Sequence, residues 1–388
     1  MVLLVTCYHQ GNYGSKLQAY ATQAALDELG VNNLTVNYSK LSGYMNKQKI
    51  KYYIKNIRNF DAFKAQFERY GFKFILKFNR TLKADISNRH KAMKVFTDIK
   101  FRLADAYEFD NLRQMCEEIN PDAVLVGSDQ LWLPSNICAD YYTLNFVPDE
   151  IKKISYATSF GVSSIDRKIK KKTADFLERF THISVREKTG YDIVRSLTEK
   201  DADVVCDPTI LLTSDKWKKL LNLNPVTDGD YIFCYFLGDN PWQRKWVTEL
   251  KKLTGLKIVS LIHTEKYIKS DIGYADETPF NVGPEEFVSL IENAKYVCTD
   301  SFHGTVFSLL FHKNFYLFRR FSDKHTASTN SRIYSLLELL DLRERLISED
   351  VSANDVLNTE IDYAIVDEKL DNFRKDSVEW LKKALGVK

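Results

Sequence analysis

Short apolar runs, polar turns and helix-period stretches alternate along most of this 388-residue chain. Val2-Leu-Leu-Val-Thr6 has no polar alternation, so it reads as a strand buried on both faces. The turn Gly11-Asn-Tyr-Gly14 follows, then an amphipathic helix over about 17–29 with Gly30 placed to end it. Further strands are expected at 34–38, 123–126, 154–157, 183–185 and 203–206, with a helix at 112–119. A second series opens with a strand at 231–236. It runs on through helix 244–253, strand 257–261, helix 284–292, strand 295–298, the polar turn 299–304 and an apolar helix ending at 311. Strand 315–318, a helix at 333–340 and a last helix over about 371–385 complete the pattern.

Strand and helix in alternation predict an α/β protein with parallel sheets. The turn-rich stretch 222–229 is the best boundary between two such domains. The expected division is an N-terminal α/β domain over 1–222, carrying a basic helical insertion at about 45–105, and a second α/β domain over 230–345. A C-terminal helical segment, 346–388, has the option of packing back onto the first domain. The chain is long enough for two cores. Two Rossmann-like domains in series imply a facing cleft, with ligands bound beyond the carboxyl ends of the strands.

Composition narrows the class. Hydrophobic residues at 44% and aromatic residues at 13% fit a packed globular enzyme. The six cysteines are scattered and several sit in strand-like runs, which points to reduced core thiols and a cytoplasmic setting rather than a disulfide frame or a zinc site. Residues 1–9 read as a first strand and not as a signal peptide. No apolar run approaches the roughly 18–20 residues that span a bilayer.

The net charge of +3 conceals an asymmetry, since residues 47–100 hold fifteen Lys/Arg against four Asp/Glu. Aromatic residues thread through that block, including Tyr52, Phe60, Phe63, Phe67 and Phe72. It reads either as a basic amphipathic hairpin resting on an anionic membrane surface or a diphosphate-bearing substrate, or as a helical insertion whose apolar stripe packs on its own domain. No nucleic-acid motif accompanies the charge, so no nucleic-acid partner is expected.

The polar turns all follow strands. His303 and Gly304 stand where a helix begins, with backbone N–H groups suited to an anion and an imidazole suited to proton transfer. The alternative is a helix cap by Thr299, Asp300 or Ser301 beside a structural histidine. In His9-Gln-Gly-Asn-Tyr-Gly-Ser-Lys16 the glycines allow close backbone approach to a ligand, or a simple turn and cap. Asp129, behind Gly127 and Ser128, can take a proton from a sugar hydroxyl with Trp132 as a stacking face; or Asp129 caps a helix and Trp132 fills a core. Arg186 after a strand and Arg332 at a helix start offer guanidinium groups to carboxylate or phosphate, or form surface salt bridges. No metal-ligand cluster is visible, and no metal or cofactor is expected.

In this order the turns resemble the polysaccharide pyruvyl transferase family. The matching pieces are Gly11-Asn-Tyr-Gly-Ser15 with Leu17-Gln-Ala-Tyr20, Val126-Gly-Ser-Asp-Gln130 with Trp132, and Tyr156-Ala-Thr-Ser-Phe-Gly161. Ser184-Val-Arg-Glu187, Asp207-Pro-Thr209 and Thr299-Asp-Ser-Phe-His-Gly304 complete the set. The resemblance covers about residues 3–345 apart from the basic insertion. It implies a fold like that of two-domain GT-B glycosyltransferases. It also implies transfer of the enolpyruvyl unit of phosphoenolpyruvate onto two sugar hydroxyls, giving a cyclic ketal and phosphate.

On this footing His303 assists phosphate departure or protonates the methylene carbon, and Asp129 is the base on the acceptor hydroxyl. Arg186, Ser301, Gly304, Thr305 and Arg332 bind the donor. Asn12, Gly14, Ser15, Ser128 and Trp132 line the acceptor side. The expected acceptor is a sugar of a cell-surface polysaccharide or its lipid-diphosphate-linked precursor, met in the cytoplasm or at the inner membrane face through residues 47–100. Many family members carry Arg-x-His where this chain has Ser301-Phe302-His303, so the charge must come from Arg332, or from Arg319 and Arg320, or the donor differs. The competing reading is a GT-B-type glycosyltransferase with a nucleotide-sugar donor.

Overall fold

The computed structural model describes residues 1–55, 72, 76–320 and 331–387. The chain forms two compact units: Met1–Asn59, Lys100–Leu212 and Leu370–Lys388 make the first, Phe60–Ile99 and Thr213–Lys369 the second. The division therefore comes ahead of the 222–229 turns, and most of the basic block counts with the second unit. Phe60, Phe63 and Phe67 of that block lie outside the described residues.

The first unit is built on a seven-stranded parallel sheet of β1 (Val2–Val5), β2 (Asn33–Asn37), β3 (Leu103–Ala106), β4 (Ala123–Asp129), β5 (Lys152–Thr158), β6 (His182–Val185) and β7 (Asp203–Val204). Their order is β3-β2-β1-β4-β5-β6-β7. The central strands β1 and β4 register Val2 to Val5 against Ala123 to Val126, all buried, which is why they read as unbroken apolar runs. Between β1 and β2 lies the helix Tyr13–Glu28, which starts earlier than its periodicity suggests. Asn12 caps it by accepting from Ser15 N at 3.2 Å, and Gly14 sits inside its first turn. Gly30, at φ +69°, ends it in the left-handed region.

From Leu370 onward the helix Tyr363–Leu385 belongs to this unit: Arg374 donates to Ile210 O at 2.6 Å and Cys206 N donates to Ser377 Oγ at 2.9 Å. Trp132 is fully buried, its ring 5.0 to 5.7 Å from those of Phe160, Phe176 and Phe180 and its Nε1 donating to Tyr142 O. At the end of β1 the His9 ring stacks on Tyr38 at 3.4 Å and 7°. Burial first, then the positive charges of Lys49 and Lys16, lowers His9 to a pKa of about 3.

The second unit holds a five-stranded parallel sheet of β8 (Tyr231–Tyr235), β9 (Lys257–Ser260), β10 (Tyr296–Thr299), β11 (Asn314–Phe318) and β12 (Leu346–Ile347), ordered β12-β11-β10-β8-β9. Its core packs Trp246, Val247 and Leu250 of the helix Pro241–Thr254 against Ile232, Cys234, Ile258, Tyr316 and Phe318. That helix has Asn240 as N-cap, Pro241 in its first turn and Gly255 at φ +71° behind it, so both ends are specified locally. In the helix Arg80–Lys100, Ile86, Arg89, Met93 and Phe96 are buried. Arg89 donates to Ile262 O at 2.7 Å and Pro279 O at 2.8 Å. This part of the basic block is thus tied to the second unit, not to the N-terminal domain in which the sequence places it. Among the described residues no helix is long and apolar enough to cross a membrane.

Two outcomes follow from this packing. Removing the Trp132 ring by Trp132→Ala leaves a cavity and costs about 3–5 kcal/mol, read as a lowered unfolding midpoint in denaturant; an unchanged midpoint would contradict the core assignment. His9 is neutral in the fold down to about pH 3, whereas an unfolded chain protonates it below roughly pH 6.5. The unfolded state thus binds the extra proton in that window, and the stability His9 contributes above it is lost as pH falls. Wild type should lose stability relative to His9→Gln by up to about 1.4 kcal/mol per pH unit below 6.5, and parallel curves would refute this.

Candidate functional site

Parallel pairing brings all strand ends of a unit to one edge, and the loops diverge where the strand order reverses. In the first unit that point lies between β1 and β4. Asp129 ends β4 there, at φ +78° and with its side chain 16% exposed. Its Oδ2 accepts from Ser15 Oγ at 2.7 Å and from Cys7 Sγ at 3.7 Å, and Arg186 Nη2 donates to Oδ1 at 3.3 Å. Arg186 Nη1 also donates to Asp207 Oδ2 at 2.6 Å, while Thr209 N and Oγ1 bond the other Asp207 oxygen. Burial alone would disfavour the Arg186 charge, but Asp207, Asp129 and Glu187 outweigh it and hold the guanidinium charged. Burial, then Asp129, pushes the Cys7 thiol well up, which removes it as a nucleophile.

The sequence-expected residues Asn12, Gly14, Ser15, Ser128, Asp129 and Arg186 are thus gathered at one edge. Ser128 is wholly buried, its Oγ donating to Ala157 O at 2.8 Å and lying 3.3 Å from Asp207 Oδ2. Trp132, equally buried, has no face to offer a sugar. Asn12 is a helix cap and Gly14 a helical residue. Arg186 bonds two carboxylates of its own sheet, so a donor anion would have to displace one of them. Ser15 and Asp129, hydrogen-bonded to each other, are the pair with an accessible carboxylate. Gln18 went unnoticed as a connector: its Oε1 accepts from Ser128 N at 2.9 Å and its Nε2 donates to Ser15 O at 2.8 Å.

In the second unit the order reverses between β8 and β10. There Asp300 accepts from Leu237 N at 2.7 Å and Gly238 N at 2.8 Å, tying the loop after β8 to the turn after β10. A Cβ on Gly238 would lie 2.8 Å from Asp300 Oδ2, and one on Gly304 would lie 2.6 Å from Thr299 Oγ1. Both positions therefore need glycine for close approach.

Ser301 caps the helix Phe302–Leu310, accepting from Gly304 N, and Thr305 Oγ1 donates to Ser301 O at 3.0 Å. Ser301, Gly304 and Thr305, expected as donor contacts, are used by the helix itself. His303 occupies the first turn of that helix and is 5% exposed. Phe302 packs edge-on against His303, and the Arg332 guanidinium lies 5.6 Å from the Phe302 ring centroid. Arg320 lies by the loop after β8: its Cγ is 3.3 Å from where a Gly238 Cβ would be. Arg332 and Arg320, two of the cations the sequence offers in place of the missing arginine, are thus found near Phe302 and Gly238 respectively. Among the described residues no group of three or more His, Cys, Asp or Glu is set to hold a metal ion.

The solved structures similar to this chain include the UDP complex of MnaA from S. aureus, at 12% identity, covering 99% of this chain and 97% of that one with a TM-score of 0.54. Methanocaldococcus jannaschii UDP-GlcNAc 2-epimerase, in complex with UDP-GlcNAc and UDP, is 13% identical over 99% of both chains with a TM-score of 0.51. At such identity the likeness is one of fold, two parallel-sheet α/β domains of the GT-B type. No curated protein sequence matches significantly. The family described as polysaccharide pyruvyl transferase matches residues 12–320, from the Asn12 cap through β11 to Arg320. That span takes in the switch points of both sheets, and the chain belongs to the polysaccharide pyruvyl transferase family.

Proposed function

We propose that the protein transfers the pyruvyl unit of phosphoenolpyruvate onto two hydroxyls of a sugar in a cell-surface polysaccharide or its lipid-linked precursor. The observation that carries this reading is the second unit's switch point, where His303 stands in the first turn of a helix, Arg332 lies over the adjacent Phe302 and Arg320 lies by Gly238. A doubly anionic donor needs cations and a helix N-terminus for its charge, and a proton donor for its methylene carbon. His303 is the proton donor in this account. One sugar oxygen bonds to C2 of the donor as C3 takes a proton and becomes the methyl group. The bond from C2 to the ester oxygen then breaks, its electron pair leaving with phosphate, and the second sugar oxygen closes the ketal. Of the two hydroxyl protons released, one balances the new C–H bond and the other leaves with phosphate.

Asp129, held by Ser15 and Arg186, is the carboxylate assigned to the acceptor hydroxyl. The acceptor side is read at the first unit's switch point, around Asn12 and Ser15. The helix Ser42–Lys55, with Ile50, Tyr53 and Ile54 exposed among Lys47, Lys51 and Lys55, supports a contact with an anionic membrane surface. A nucleotide-sugar donor is the competing reading, favoured by Ser301 standing where an arginine is usual.

Isothermal titration separates the two. Wild type should bind phosphoenolpyruvate saturably, and Arg332→Ala should weaken that binding about 10- to 100-fold, the loss of one contact to a charged group. His303→Ala should abolish acceptor-dependent phosphate release while remaining folded. Binding of a UDP-sugar with no response to phosphoenolpyruvate would refute pyruvyl transfer.

A further inference from the structure

His263 follows β9, on the same edge of the second sheet as His303, and its ring is fixed on one side only. Its Nδ1 lies 2.6 Å from Asp271 Oδ2, and its backbone N donates to the same oxygen at 3.3 Å. Asp271 is in turn held by Arg244, whose Nε and Nη2 donate to Oδ1 at 3.1 and 2.7 Å. Arg244 Nη2 also donates to Gly238 O at 2.9 Å. Gly238 is the residue whose N–H is bound by Asp300 on the other side. Arg89 fixes the preceding carbonyl, Ile262 O, at 2.7 Å. Burial would raise the Asp271 carboxyl, yet His263 and Arg244 beside it hold it below the usual carboxylate range. Asp239 and Lys266, 3.3 Å apart, are a further charged pair at this loop, which also carries Glu265 and Lys269.

The opposite ring nitrogen is different. Nε2 of His263 is buried and has no hydrogen-bond partner among the described residues. A carboxylate that orients Nδ1, and is itself clamped by an arginine, is how a protein directs the other nitrogen of a histidine at something. The backbone around it is pinned at Ile262, His263 and Gly238, so the direction is built in.

We propose that His263 is a second ligand-contacting residue of the second unit's site, its Nε2 directed at the phosphate of a phosphate-ester donor. This rests on reading that unit as the phosphoenolpyruvate side. β9, β8 and β10 are adjacent, so the ends of β9 and β10 lie about 10 Å apart at the usual strand spacing. A small donor reached by one imidazole from each strand end fits that interval. His303 serves the carbon that becomes the methyl group, while His263 steadies the phosphate on which negative charge grows as the C2–oxygen bond breaks. Asp271 and Arg244 are positioning residues, acting through His263 and through the Gly238 loop.

Two substitutions separate this role from a merely structural one. His263→Asn keeps a donor near the Nδ1 position and can still bond Asp271, but it has nothing at Nε2. His263→Gln does the reverse. Titration with phosphoenolpyruvate and with inorganic phosphate should show His263→Asn weakened about tenfold or more at an unchanged unfolding temperature, with His263→Gln retaining more affinity. Wild-type affinity in His263→Asn, or loss confined to His263→Gln, overturns the assignment and leaves pyruvyl transfer standing. A wild type that binds no phosphoenolpyruvate overturns both. Should His263→Asn unfold, the ring nitrogen resonances of wild type, with those of His263 identified by their absence from His263→Gln, decide instead. Phosphoenolpyruvate must shift the His263 Nε2 signal, and an unmoved signal refutes the contact.

Discussion

Every strand of each sheet runs the same way, and the chemistry of this protein follows from that. Parallel pairing sends each chain segment back across a helix, so each unit has one edge where all strands end and another where all begin. Residues after the strands collect at the first edge whatever their separation in sequence. Where the order reverses, between β1 and β4 and between β8 and β10, the loops part and leave room for a ligand. Asp129 and Asp300 stand at these two points, and each binds groups from a neighbouring strand end.

The two carboxylates solve different problems. Asp300 satisfies backbone N–H groups, which fixes a loop without adding a second buried charge. Asp129 shares Arg186 with Asp207, a buried network in which removing any one charge leaves another uncompensated. In the second arrangement the arginine is engaged by carboxylates of its own sheet.

The strands were legible because most are buried on both faces and bounded by polar turns. The switch-point turns were legible too, since polar residues directly after an apolar run mark where a buried strand ends and a helix starts. For Trp132 the sequence left a sugar-stacking face and a core position both open, and packing decides, since its partners Phe160, Phe176 and Phe180 come from a later loop and helix. The early start of the first helix was hidden by Gly14, a poor helix former overruled by the Asn12 cap. His263 escaped notice since a lone histidine with an aspartate eight residues on matches no motif; its orientation arises from Arg244 and Arg89, far off in sequence. Ser301 in place of an arginine was visible at once, as were Arg319, Arg320 and Arg332 after β11; that Arg332 lies over Phe302 and Arg320 beside Gly238 needed the fold.

The central claim is that the donor sits at the β8–β10 switch point of the second unit. Hydrogen–deuterium exchange of the full chain with and without phosphoenolpyruvate tests it most directly. The account predicts slowed exchange in 235–240 and 299–304, with little change at 9–16 and 126–132. Protection confined to the first unit's turns, or protection by UDP-sugars and none by phosphoenolpyruvate, would contradict it.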